Sequence, residues 1–225
     1  MFLGHYGVAL AAKRIAPRTS LGTLALAAQL LDEIWPIMLI LGLEQVRIVP
    51  GLMPANPLQF VYYPFTHSLA AAIVWSLLLG FIYLAVRRDQ RAATIVGLLV
   101  LSHWILDLPM HAPDLPLWPG SSVKVGLGAW RSIPLTIVIE LVVFVGGITV
   151  YLRTTRARDR TGNWALWSMV VVLLLIFFSG FTSPPPRDER TLAYAALGIW
   201  LFVPWGYWID RHREIMQADP SQRSG

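Results

Sequence analysis

Apolar residues come in long, nearly unbroken runs along this chain, and the polar residues that interrupt them are few and unevenly placed. Six runs, at residues 20–43, 65–86, 92–110, 133–152, 164–181 and 191–209, approach or exceed the roughly 20 apolar residues a helix needs to cross a bilayer's hydrocarbon layer. A seventh, at residues 2–16, is shorter and is closed by Lys13, Arg14 and Arg18. It has no basic residues ahead of its apolar core and no small-residue cleavage site, so it reads as a short membrane helix that stays with the protein. Between the runs lie proline-rich stretches such as "VPGLMPANPLQF", "HAPDLPLWPGSS" and "TSPPPRDER". Proline lacks a donor and fixes φ, so these read as turns and extended segments. The pattern predicts an all-α polytopic transmembrane bundle, with six long spans plus a short N-terminal membrane helix. One integral membrane domain covers residues 1–216, and a polar, disordered tail follows at 217–225.

Composition agrees: 56% of residues are hydrophobic and 14% charged, against about 25% charged in an ordinary soluble domain. Cysteine is absent, which excludes disulfides and thiolate chemistry. A net charge of +5 would suit a nucleic-acid partner, but the basic residues are sorted by side. With the six spans alternating, Lys13, Arg14, Arg18, Arg87, Arg88, Arg91, Arg153, Arg156, Arg158, Arg160, Arg211, Arg213 and Arg223 all fall on one face of the membrane. Basic loops stay cytoplasmic. The excess is therefore a topology signal, with no nucleic acid implied. The loops at 43–64, 111–132 and 182–190 face outward from an inner or plasma membrane, and the C-terminus is cytoplasmic.

Ionisable groups at membrane depth cost about 2.5–3.5 kcal/mol each on insertion scales, so each needs a reason to be there. This chain places Asp32 and Glu33 in the first long span, His103 and Asp107 in the third and Glu140 in the fourth. His67 stands at the mouth of the second span, and His5 in the short N-terminal segment. His103 and Asp107, four apart on a helix, share one face, with His103 about 6 Å deeper at 1.5 Å per residue. The alternation of spans brings His5, His67, His103, Asp107 and Glu140 to the outer half of the membrane, with Asp32 at mid-span. A site with three histidines and two carboxylates suits a divalent first-row ion, zinc first, as one ion or two. Glu33 or Glu140 would then serve as general base or as an outer partner of the histidines. His111 and Asp114, in an outward loop, read as solvated surface groups. The final two spans, residues 164–209, hold no titratable group at depth and read as scaffold.

Taken in order, "LGHYG", "LLDEIWP", "YPFTHS" and "SHWILDLPMHAPDLPLWPG" resemble the LexA-binding, inner-membrane-associated metal-dependent hydrolase family, of the zinc-dependent phospholipase C-like superfamily. The resemblance covers roughly residues 2–120. It implies that His5, Asp32, His67, His103 and Asp107 are metal ligands. Two positions depart from the family pattern: Glu33 follows Asp32 where a second aspartate in a "DID" core is common, and "YYP" stands where many members have "HRG".

The reading that follows is a metal-dependent hydrolase acting on a lipid ester or phosphoester near the outer membrane face, with Lys124 or Arg131 steadying an anionic headgroup. Its competitors are a proton or cation relay built from the same residues, which would want polar groups through the full depth, and a non-catalytic scaffold.

Overall fold

The computed structural model describes residues 1–216; the tail expected at 217–225 lies outside the described residues. Helices dominate. The first, α1 (Leu3–Ala12), is only ten residues long and is buried along most of its length. It is followed by α2 (Leu21–Ile40), a hairpin of β1 (Gln45–Met53) and β2 (Asn56–Tyr62), a single turn α3 (Pro64–His67), and the antiparallel pair α4 (Leu69–Arg87) and α5 (Gln90–Asp107). After a long connection holding the two-residue strands β3 (Leu115–Pro116) and β4 (Lys124–Val125) come α6 (Ile133–Thr154), β5 (Thr155–Ala157), α7 (Arg160–Thr182), α8 (Glu189–Ala196), a 3-10 turn (Leu197–Leu201), α9 (Phe202–Arg211) and β6 (Arg213–Ile215).

Helix starts follow from local chemistry. Ser20, Ser68, Asp89, Ser132, Asp159 and Asp188 each accept a backbone N–H two or three residues on, which satisfies a donor that the first helical turn would otherwise leave free. Pro36 lies inside α2 and deprives the Asp32 carbonyl of its usual donor. The indole Nε1 of Trp200 donates to the neighbouring Glu33 carbonyl at 3.0 Å, supplying a partner where the helix ladder is weakened.

Among the described residues, five segments are long and apolar enough to cross a membrane: Leu21–Ile40, Leu69–Arg87, Ile133–Thr154, Arg160–Thr182 and the composite Glu189–Arg211. The third expected span, now α5, stands apart from these five. Gln90, Arg91, Ser102, His103 and Asp107 dilute its apolar character, and the face bearing Val96, Val100, His103 and Asp107 is buried within the protein. Packing explains its place, since α5 lies against α4 and α2.

Three helix crossings are made through glycine. A Cβ on Gly147 of α6 would overlap the Gly7 carbonyl of α1, and one on Gly206 of α9 would stand 2.7 Å from the Gly22 nitrogen of α2. The α4–α5 crossing is looser, with Gly97 placing such an atom 3.0 Å from the Ser76 carbonyl. Small residues let backbones approach where no hydrophobic force drives helices together. At the basic end of the bundle, Lys13 bridges to Asp210 at 2.8 Å, and the Leu21 amide donates to the same carboxylate. This ties the α1–α2 turn to α9. At the other end, the β1–β2 hairpin and the connection from α5 to α6 fold over the helices as a cap.

Candidate metal centre

Asp107, on the last turn of α5, is the hub of the buried polar residues. Its Oδ1 lies 3.3 Å from His5 Nε2; its Oδ2 lies 3.3 Å from His103 Nε2 and 3.8 Å from both His67 Nε2 and His111 Nε2. The Met1 amino group also rests against Oδ1. Asp32 Oδ1 approaches the same imidazoles from α2, at 3.3 Å from His67 Nε2 and 3.6 Å from His103 Nε2. Two overlapping triads result, His5–His103–Asp107 and Asp32–His67–His103, each with its ligand atoms within 4.8 Å of one another. The structure thus brings together all five residues expected as ligands.

His111 joins them, which corrects its reading as a surface group. It is 2% exposed, because the α5–α6 connection doubles back: Gly128 N donates to the His111 carbonyl, Ala129 N to Pro109 O and Trp130 N to Met110 O. Gly126 adopts φ 151, and any Cβ there would overlap the Ala112 carbonyl. Trp130 and Phe60 then cover the imidazole, with ring centroids 4.3 and 4.9 Å away. The glycines of "KVGLGAW" were the available signal, but burial here depends on a long-range return of the chain.

The outer nitrogens set the tautomers. His103 Nδ1 lies 2.8 Å from the Ala28 carbonyl, an acceptor only, so this nitrogen carries a hydrogen and, in the neutral ring, Nε2 keeps its lone pair. His111 Nδ1 lies 2.9 Å from Asp114 Oδ1, with the same consequence. Tyr63 donates to that carboxylate at 2.9 Å; burial and the adjacent Asp114 charge push its phenol up, so it stays protonated. Burial lowers the basicity of His111, outweighing Asp114 and Asp107. For His67 the chain is longer. Glu44 Oε2 accepts the Thr66 hydroxyl at 2.7 Å, and that hydroxyl oxygen, 2.8 Å from His67 Nδ1, is left to accept. Glu44 is fully committed to this turn, for its Oε1 takes the Phe65 and Thr66 amides. Glu44 was missed by sequence reasoning because it lies outside every apolar run. His5 stacks face to face on His103 at 3.7 Å, a poor arrangement for two imidazolium ions.

Three Nε2 lone pairs therefore converge on two carboxylates. His103 Nε2 and both nitrogens of His5 have no hydrogen-bond partner among the described residues. The cluster opens on a cavity of about 270 Å³ whose wall includes Asp32, His67, Asp107, His111, Glu140 and Trp130, and no Lys or Arg side chain. Acceptors crowded on acceptors are stable with a cation between them; the Met1 ammonium serves Asp107 Oδ1 in this way and does not reach the inward nitrogens of His67 and His103. The donor set, imidazole with carboxylate, fits a divalent ion of the zinc type.

The remaining expected site residues are placed differently. Glu140 Oε1 and Oε2 accept the Phe2 and Gly4 amides at 2.7 and 2.8 Å, so this carboxylate caps α1, the helix carrying His5. Glu33 is buried but does not line the cavity, since successive helical residues point about 100° apart and Asp32 takes the cavity side. Lys124 and Arg131 are exposed on β4 and on the turn beside Trp130, outside the cavity wall.

Fold and cluster together define a multi-pass membrane protein with a buried His/Asp cluster capped by its loops. The chain belongs to the YdjM inner membrane protein family, whose family model matches residues 1–184. No curated protein and no solved structure matches it. The matched range takes in every residue of the cluster and ends just beyond α7, before α8 and α9.

Proposed function

We propose that this protein is a metal-dependent hydrolase of a lipid ester or phosphoester. The observation that carries the reading is the convergence of His67, His103 and His111, each with its lone pair turned inward by an outer partner, onto Asp32 and Asp107 in a pocket without Lys or Arg. His5, Asp32, His67, His103 and Asp107 hold the ion, and His111 completes the set. When bound, such an ion polarises a phosphoryl or acyl oxygen and brings the pKa of a bound water toward neutrality. The resemblance of "LGHYG", "YPFTHS" and "SHWILD" to the metal-dependent hydrolases supports hydrolysis as the reaction. Asp32, the most exposed of the cluster carboxylates with a side chain 26% exposed, is the group best placed to accept a proton from incoming water. Glu140 positions α1 through the Phe2 and Gly4 amides. Arg131, exposed next to Trp130, serves an anionic headgroup at the rim, with Lys124 further out. The distribution of basic residues supports an orientation with the cap on the outer side of the inner membrane and the C-terminus in the cytoplasm.

The test is elemental mass spectrometry of the detergent-purified protein, followed by product analysis on diacyl phospholipids before and after chelation. Stoichiometric zinc or manganese is expected, with product formation lost on chelation and restored by the metal. Absence of metal after reconstitution with zinc would overturn the reading. A finer check concerns His67. Thr66→Val keeps the shape and removes the hydroxyl between Glu44 and His67, and metal affinity is expected to fall about 10–100-fold, as for other partners of ligating histidines. Zinc titration measures this, and an unchanged affinity would detach Glu44 and Thr66 from the site.

One observation favours a relay as the second reading: Tyr6 Oη, Glu33 Oε2 and both amide atoms of Gln29 are buried without hydrogen-bond partners among the described residues, which extends the buried polar groups beyond the cluster. Proton flux through the protein in vesicles, without hydrolysis, would move this reading to first place.

A further inference from the structure

The last two apolar segments were expected to be scaffold, yet they enclose a second cavity of about 490 Å³ between α7 and the α8–α9 rod. Val172 and Ile176 form one wall; Gly198, Leu201, Phe202 and Trp205 form the other. Among the described residues, Asp32 is its single ionisable lining residue. Phe2, Asp32, Trp35 and Ile176 line both this slot and the cavity of the His/Asp cluster, so the two meet at Asp32.

We infer that the slot holds one acyl chain of a membrane lipid, which enters sideways from the bilayer and leaves its polar end at Asp32. This rests on the hydrolase reading for its purpose and names the substrate as a lipid held by its tail. The occupant follows from surroundings and lining. Both walls belong to segments long and apolar enough to cross a membrane, and the outer surface of α7, including Val171 and Leu175, is exposed and apolar. A cleft open at that depth meets hydrocarbon, and its volume lies in the usual range for ligand pockets, roughly 300–1,000 Å³. A water-soluble substrate would find nothing there to hydrogen-bond except at the Asp32 end. Gly198 is a wall position with room to spare: its backbone does not require glycine, and a Cβ there would meet nothing within 4 Å.

The experiment uses the full chain in phosphatidylethanolamine/phosphatidylglycerol vesicles, doped with a phospholipid carrying a diazirine midway along one acyl chain. After irradiation, labelled peptides are mapped by mass spectrometry. Labelling is expected to concentrate on the stretches around Val172–Ile176 and Gly198–Trp205, above the lipid-exposed face of α4 at Leu77 and Phe81. Burial of apolar area is what retains the chain, so Gly198→Phe, which fills the slot, is expected to cut that labelling about tenfold. Gly146→Phe, on α6 and likewise facing open space, should leave it unchanged. Leu201→Trp, on the same wall, is a second way to narrow the slot and should act in the same direction. Equal labelling of the wild type and both slot variants, or labelling no stronger than on α4, would overturn the inference, as would a helix of a second copy cross-linked in the slot. Labelling needs neither metal nor turnover. A labelled slot in a metal-free, inactive protein would sink the hydrolase reading and leave the acyl-chain site standing, and an active enzyme with an unlabelled slot would do the reverse.

Discussion

Asp107→Asn is expected to abolish metal binding while the protein still folds. The carboxylate faces four imidazole Nε2 atoms at 3.3–3.8 Å, so losing its charge removes the anionic ligand on which all four imidazoles converge. Asparagine keeps the volume, and its amide hydrogens can meet the inward lone pairs of His103 or His67, which satisfies the metal-free site. Metal affinity should drop by more than about 100-fold, beyond the loss typical of an outer partner. A ligand that binds only the folded state at about 100 times its dissociation constant stabilises by about 2.7 kcal/mol. Added zinc should therefore raise the melting temperature of the wild type and leave that of Asp107→Asn where it is. A zinc-dependent shift of equal size in the variant would remove Asp107 from the site.

The second large effect is expected from a methyl group. In Gly147→Ala the new Cβ would overlap the Gly7 carbonyl of α1, and the facing Gly7 already brings its own Cβ position to 2.6 Å from the Val143 carbonyl and 2.8 Å from Phe144 Cα. Backbone meets backbone on both sides, so no side chain can swing away. Overpacking of a tight core typically costs 1–3 kcal/mol, and about 3 kcal/mol is expected here. Because α1 carries His5 and is capped by Glu140, the same displacement should weaken metal binding. Gly146→Ala is the control one residue away: nothing lies within 4 Å of its Cβ position, and stability should change little or rise slightly, as replacing a helical glycine does. Chemical unfolding in detergent measures both. Similar behaviour of the two variants would overturn the close α1–α6 crossing.

What could be read along the chain was whatever depends on short stretches. Apolar run length marks the membrane segments, with α5 as the one run whose polar residues set it apart. A His and an Asp four apart must share a helix face, and the order of spans puts His5, His67 and His103 at similar depth without any knowledge of packing. Proline density marked the cap as extended, and it became the β1–β2 hairpin and the α5–α6 connection. Tertiary structure decided the matters that turn on angle and long-range return. Glu33 faces away because its neighbour Asp32 faces in. Glu140 is taken up by the Phe2 and Gly4 amides, 138 and 136 residues distant. His111 is drawn from the surface into the site by the segment ending at Trp130. Glu44 reaches His67 only through Thr66. The slot between α7 and the α8–α9 rod lies where two apolar segments do not close fully against each other. A one-dimensional pattern reports which side chains avoid water; which of them meet is set by how backbones cross, and here the crossings are made at glycines that show in the sequence only as small residues.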